Sequence, residues 1–304
     1  MSTPNGTAIE LQAGGYSATV LTVGATLQKL AFEGRDLVLP FDIQQIPPAY
    51  SGKTLMPWPN RVTNGTYLFE GRSYQLPVNE LSTNSALHGL VLWDEWVLVE
   101  SGKNHVVLGH RCMGAPGYPF QLELTARYQL DPENGLTVTL TALNTGVSAA
   151  PYGVSSHPFL VCGTTEIDEW ELSIPAQQVL NVDDRLLPTN LMQVSGTRFD
   201  FNSPRPFGSE AFDHAFTGLP QEQWEVSLTN PATGNSTIMA ARGGPGGANW
   251  LQLYSGELRG RRAVALEPMT CAPNAFNSGA GLIVLEPADS HSLVFGVRSE
   301  NTKD

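Results

Sequence analysis

Along much of the chain, residues of one character recur at every second position. LELTARYQL (122–130) and TVTLTAL (137–143) show it most plainly, and WVLVES (96–101), WELSIP (170–175) and WEVSLTN (224–230) repeat it. A period of two belongs to a β-strand, whose successive side chains leave opposite faces, and no stretch of ten or more residues carries a helical period. Turn chemistry separates the segments. Glu70-Gly71, Asp131 to Gly135 (DPENG) and Pro231 to Asn235 (PATGN) predict hairpins. The pattern predicts an all-β chain, a large antiparallel sandwich of wide sheets stacked face to face. No composition break, linker or fixed-period repeat divides it, so residues 1–304 are expected to form a single domain.

Composition sharpens this picture. Hydrophobic residues make up 41% of the 304, enough for a sizeable core, while charged residues are only 15%, against about a quarter in an average protein. Seventeen Lys and Arg face 29 Asp and Glu, giving a net charge of -12. Such a chain repels phosphate backbones and anionic lipid, so neither nucleic acid nor a membrane is an expected partner. Residues 134–165 lack every charged type, but their Thr and Ser content, Pro151 and Pro158 argue against a bilayer span. The first residues, MSTPNGTAIELQAGG, have neither the basic start nor the apolar run of a signal peptide. Cys112, Cys162 and Cys271 show no CxxC or CxxH spacing, so neither a disulfide framework nor a zinc site is expected. A reduced, cytoplasmic protein is the plain expectation.

Several short features carry possible chemistry. Gly52-Lys53-Thr54 ends like a phosphate-binding loop, but Pro47 stands where that loop needs glycine and no helix pattern follows, so an ordinary loop is expected. Gly243 to Gly247 (GGPGG) reads as a turn. Arg259, Arg261 and Arg262 form the one basic cluster, a solvated face or a holder for one phosphate group. The six histidines lack the spacing of a metal site, so no metal is expected; His105, His110 and His291 read as surface residues. His157 precedes Pro158, which confines it to extended backbone. That suits a catalytic group and equally a structural histidine at a strand end, the commoner case. In RAVALEP (262–268) a strand places Ala263, Ala265 and Glu267 on one face, the alanines leaving room for a ligand and Pro268 ending the pairing. A Glu turning to water at a strand end fits the same letters. In WLQLYSG (250–256), Trp250, Gln252 and Tyr254 share a face that suits a sugar, or a plain exposed sheet. Asp213-His214, in FDHAF, says little alone.

Read in order, these pieces form a series. Arg61 in PNRVTNGTYLFEGRSYQL, His88 in ALHGL, His157 in VSSHPF, Asp213 in FDHAF, Gln252 in LQLYSG and Glu267 in LEPMTCAPNAFN follow the early Gly24-Ala25. The series resembles the aldose 1-epimerase (galactose mutarotase) family over nearly the whole chain. The resemblance implies a β-supersandwich, a sugar site without cofactor, Glu267 as general base and His157 as general acid. It also implies that Arg61, His88, Asp213 and Gln252 hold the sugar, with Asn60 beside Arg61 in support. The substrate expected is a free hexose, and the protein a monomer or homodimer. Three departures suggest a divergent branch: His88-Gly89-Leu90 for His-Gly-Gly, Asn274 for Asp in the segment after the glutamate, and Pro287-Ala288 for Pro-Gly. Three rivals stand beside this reading. One is a mutarotase of phosphorylated hexoses using the arginine cluster; another is a non-catalytic carbohydrate-binding sandwich. A glycoside hydrolase, ranked last, would need Asp213 and Glu267 as its two carboxylates.

Overall fold

The structure, a computed structural model, describes residues 3–301. Two large antiparallel sheets dominate it. One has ten strands, running in space from Ala8–Ala13 at one edge, through Phe159–Leu160, Val264–Met269, Trp250–Tyr254 and Asp213–Thr217, to Pro188–Gln193 at the other. The second has nine, from Val97–Ser101 through Leu122–Asp131, Gly135–Asn144 and Ser290–Asn301 to Arg205–Pro206. A continuous apolar core draws on both, with Leu30, Leu253 and Leu266 from the first sheet and Leu124, Leu140 and Phe295 from the second. That is the expected sandwich. The α-helix Ala275–Ser278 spans a single turn, and no helix among the described residues is long and apolar enough to cross a membrane.

The alternating segments behave as their period requires. In Leu122–Asp131 the side chains of Leu122, Leu124, Ala126, Tyr128 and Leu130 are buried, and those between them are more open. The three expected hairpin turns all connect paired strands. Glu70 and Gly71 both take left-handed backbone between Thr66–Phe69 and Arg72–Gln75, as a two-residue turn demands. Asp131 accepts hydrogen bonds from the amides of Glu133 and Asn134, closing its turn locally. WVLVES departs from the rule: Trp96 is buried, but Val97–Ser101 is open at every position, because it is an edge strand. Val264–Met269 is the opposite case, buried at all six positions. One face of this central strand meets the core, and the other forms the floor of a cleft.

Candidate active site

The register of three adjacent strands builds the cleft floor. Ala215 lies opposite Gln252, and Gln252 opposite Glu267; two residues along, Asp213 lies opposite Tyr254, and Tyr254 opposite Ala265. Side chains two apart on a strand share a face, so Asp213, Gln252, Tyr254 and Glu267 point the same way. An open cleft of about 250 Å³ lies above them, lined by Asn60, Arg61, Glu80, His88, His157, Asp213, Tyr254 and Glu267 with Tyr50, Leu186 and Leu258 among its apolar walls. Gln252 lies just beneath, in a small adjoining cavity shared with Asn60, Arg61 and Asp213. The seven residues that the family resemblance assigns to the site, Asn60, Arg61, His88, His157, Asp213, Gln252 and Glu267, thus lie at one place.

His157 is fixed from both sides of its backbone. Its N–H donates to the Lys53 carbonyl (3.0 Å), and its own carbonyl accepts from the Gly52 amide (2.8 Å). The ring meets Phe159 at 5.1 Å between centroids and the edge of His88 at 5.4 Å. Its Nε2 lies 3.2 Å from Glu267 Oε1, and both residues are almost wholly buried, at 5% and 2% exposure. Burial pushes the Glu267 carboxyl well above its usual range; neighbouring Asp213 adds to this and Arg61 opposes it. Burial pulls His157 down, to about 4. Glu267 Oε2 and His157 Nδ1 are buried without hydrogen-bond partners.

Asn60, Arg61 and His88 form a second unit. Asn60 and His88 both adopt left-handed backbone, a conformation that an L-residue takes at a cost and that functional sites often hold. The His88 amide donates to the Asn60 carbonyl (2.9 Å), and the Asn60 amide donates to His88 Nδ1 (3.1 Å). An Nδ1 that accepts must be bare, so neutral His88 carries its proton on Nε2 as a donor. Burial, with His157 and Arg61 adding, holds His88 well below its usual value and keeps it neutral. Asn60 Oδ1 accepts from the Arg61 amide. The Arg61 guanidinium grips Glu80 twice, Nε to Oε2 at 2.6 Å and Nη2 to Oε1 at 2.9 Å, and its Nη1 stands 3.9 Å from Asp213 Oδ2. Asp213 in turn accepts from Gln252 Nε2 (2.5 Å). Burial raises Asp213, with Arg61 and Gln252 working against it.

Glu80 has no signal in the sequence: it sits in a polar loop without period or motif. Tyr50 and Leu186 are likewise unmarked. Other expectations need correction. Trp250 shares the face of Gln252 but packs with Leu180, Ala215, Met269 and Ala272 beneath the loop after Glu267, outside the cleft. Ala263 and Ala265 are fully buried in the main core, and neither lines the cleft itself. Pairing runs past Pro268 to Met269. Gly52 and Lys53 do lie in a loop, as expected, and Lys53 is fully buried there, its ammonium bound to the Val23 carbonyl and lying 4.6 Å from the centre of the Trp93 ring. His105 and His110 lie at the surface as expected, partly covered, each beside a carboxylate, Glu100 and Asp94. In the basic cluster, Arg261 binds Asp168, Glu257 and two carbonyls, and Arg259 binds the Pro40 carbonyl. None of the three arginines lines the cleft.

A cleft with one guanidinium, two imidazoles and three carboxylates, polar beneath and apolar at its rim, can read hydroxyl groups and move protons at two points. Comparison with known proteins agrees with that chemistry. The family model described as Aldose 1-epimerase matches residues 7–298. The chain is 40% identical over 293 residues to the uncharacterized protein YihR of Escherichia coli (strain K12), covering 96% of this chain and 93% of that one. It is 28% identical over 234 residues to the galactose mutarotase of Bos taurus, covering 68% and 66%. Among solved structures, the GalM/aldose epimerase homologue from C. elegans superposes with a TM-score of 0.86 at 23% identity, over 97% and 99% of the two chains. Galactose 1-epimerase from Lactobacillus acidophilus NCFM gives 0.81 at 22% identity, over 97% and 94%. At these identities the two structures speak for the fold.

Proposed function

This chain belongs to the aldose 1-epimerase family, and from that premise and the geometry of the cleft we propose that it interconverts the α and β anomers of a free hexose. Exchange of anomers requires the C1–O5 bond of the hemiacetal to open, the C1–C2 bond to rotate, and the ring to close on the other face of the carbonyl. Opening removes a proton from the C1 hydroxyl and adds one to the ring oxygen. Either transfer alone would build a high-energy charge.

The His157–Glu267 contact at 3.2 Å carries this reading. With the pair holding one proton, ionised Glu267 accepts the C1 hydroxyl proton as protonated His157 gives its own to O5, and the C1–O5 electrons leave with the ring oxygen. Closure runs the same transfers backwards, so charge and protons balance over the cycle. Burial makes each partner better at its task, because a raised carboxyl is a stronger base and an imidazolium lowered to about 4 is a stronger acid. The same displacements make the charge-separated pair the minor form of the empty cleft, and direct contact favours it. Arg61, with its remaining donors, and His88, with Nε2–H, hold hydroxyls; Asp213, oriented by Gln252, accepts from another. Loss of one such charge-assisted bond costs about 1.5–3 kcal/mol of binding.

A free hexose is favoured over its phosphate ester because three carboxylates line the cleft, the Arg61 guanidinium is clasped by Glu80, Arg259 and Arg261 are engaged elsewhere, and no arginine of that cluster lines the cleft. The test follows the optical rotation of freshly dissolved α-glucose, α-galactose and glucose 6-phosphate. Glu267→Gln and His157→Asn, folded by circular dichroism, are expected to lose nearly all acceleration, since a positioned acid or base is worth about 10²–10⁴-fold. A wild-type rate in either variant removes that residue from the mechanism. Saturable sugar binding without acceleration by the wild type would leave a carbohydrate-binding protein.

A further inference from the structure

Among the described residues Arg61 is the only Arg or Lys lining the cleft, and two carboxylates compete for it: Glu80 holds its Nε and Nη2 edge, and Asp213 stands 3.9 Å from Nη1. The bidentate grip fixes the guanidinium plane, because both N–H bonds on one edge must meet both carboxylate oxygens. The turn that presents Glu80 is itself held at several points. The Thr83 hydroxyl donates to Glu80 Oε2. The Asn79 side chain brackets Leu87, donating to its carbonyl (3.0 Å) and accepting from its amide (2.7 Å). From the turn between Gln178–Val182 and the edge strand Pro188–Gln193 of the ten-stranded sheet, Arg185 reaches across to donate to the Thr83 carbonyl. Burial alone would raise Glu80, but the hydrogen bonds from Arg61 and Thr83 outweigh it and hold the carboxylate below its usual range.

We propose that Glu80 is a positioning residue: it fixes the Arg61 guanidinium for the sugar's hydroxyls and balances that positive charge beside the Glu267 base. The second half follows from what surrounds Glu267. His157 touches it, Asp213 and Arg61 act on it through space, and His88, Tyr254 and Glu80 complete the wall. Arg61 favours the ionised carboxylate and so weakens it as a base. Glu80 offsets that pull. The inference rests on the mutarotase reading for its kinetic consequences, but its binding consequence stands apart from turnover.

Glu80→Gln keeps the shape and one acceptor while removing the charge. Sugar binding by calorimetry, and KM where turnover is measured, should weaken about tenfold, the cost of one charge-assisted bond. The alkaline limb of kcat should move to lower pH, a change that a merely structural lesion would not produce. Glu80→Asp, which keeps the charge but shortens the reach, should weaken binding and leave that limb in place; it also serves if the glutamine variant does not fold. In an Arg61→Met background, Glu80→Gln should add nothing, since its effect passes through the arginine. Wild-type binding and an unmoved limb in Glu80→Gln would overturn the inference, as would a full further loss in the Arg61→Met background, which would mean that Glu80 meets the sugar itself. If the wild type binds sugar but does not accelerate mutarotation, the mutarotase reading fails while the binding comparison still decides on Glu80.

Discussion

The buried His157–Glu267 pair makes a prediction about stability that needs no substrate. In the unfolded chain near pH 5.5, a glutamate of 4.5 is ionised and a histidine of 6.5 is protonated, so the two groups hold one proton. In the folded protein the carboxyl is raised and the imidazole lowered, and the pair again holds one proton, on either partner. Stability changes with pH only where folded and unfolded states bind different numbers of protons. The slopes of the two partners therefore oppose each other and should largely cancel around pH 5.5, in spite of two displacements. Single substitutions unmask the slopes. In Glu267→Gln only His157 remains; its folded value is depressed, so its contribution is present above 6.5 and is lost as pH falls through about 4. A displacement from 6.5 to about 4 corresponds to about 3 kcal/mol. In His157→Gln only Glu267 remains; its folded value is raised, so its contribution is full below 4.5 and is lost as pH rises through the folded value. Urea unfolding of the three proteins at steps from pH 7 to 4 reads this directly, with each variant compared to the wild type so that other groups cancel. Glu267→Gln should fall against the wild type by about 3 kcal/mol on acidification, and His157→Gln should gain. Parallel curves for all three would refute the account of the pair.

Activity should follow a bell-shaped pH profile, since turnover needs one proton in the pair: the acid limb falls as pH drops toward about 4, and the alkaline limb lies above the ordinary carboxylate range. Stopped polarimetry across pH checks it, and activity that keeps rising into strong base would count against a shared proton. Gly89→Ala should cost at least about 2 kcal/mol in thermal or urea unfolding, because the new Cβ would stand 1.9 Å from the Met56 carbonyl oxygen on a left-handed backbone with φ +81°. Ala288→Gly should do the reverse: Ala288 occupies φ 68°, a conformation natural to glycine, and relief of that strain should raise stability by about 1 kcal/mol. Glucose 6-phosphate turned over in preference to glucose would transfer the substrate assignment to phosphorylated sugars.

What the sequence disclosed and what it withheld divide along a physical line. Alternation reports which side chains share a face of a strand, and this was enough to put Glu267, Gln252 and Tyr254 where they are found, because the sheet register carries that parity from strand to strand. It does not report what covers the face. Trp250 has the same parity as Gln252, yet the loop carrying Ala272 closes over it; Val97 and Val99 alternate like core residues, yet their strand has no neighbour on one side. The second half of the cleft lies outside the periodic language altogether. Arg61 and His88 come from Arg61–Thr63 and the end of Ser85–Leu87, a two-stranded fragment set by left-handed turns at Asn60 and His88, and His157 sits between strands of two residues each. Such pieces carry almost no pattern, and only the order of short motifs along the chain pointed to them. Glu80 had not even that, since its importance consists in meeting an arginine 19 positions earlier in a loop with no period. A sheet is specified by repetition, so its residues announce themselves; the groups placed to bind and move protons sit where repetition is broken, and the residue that aims one of them is legible only once the chain has folded.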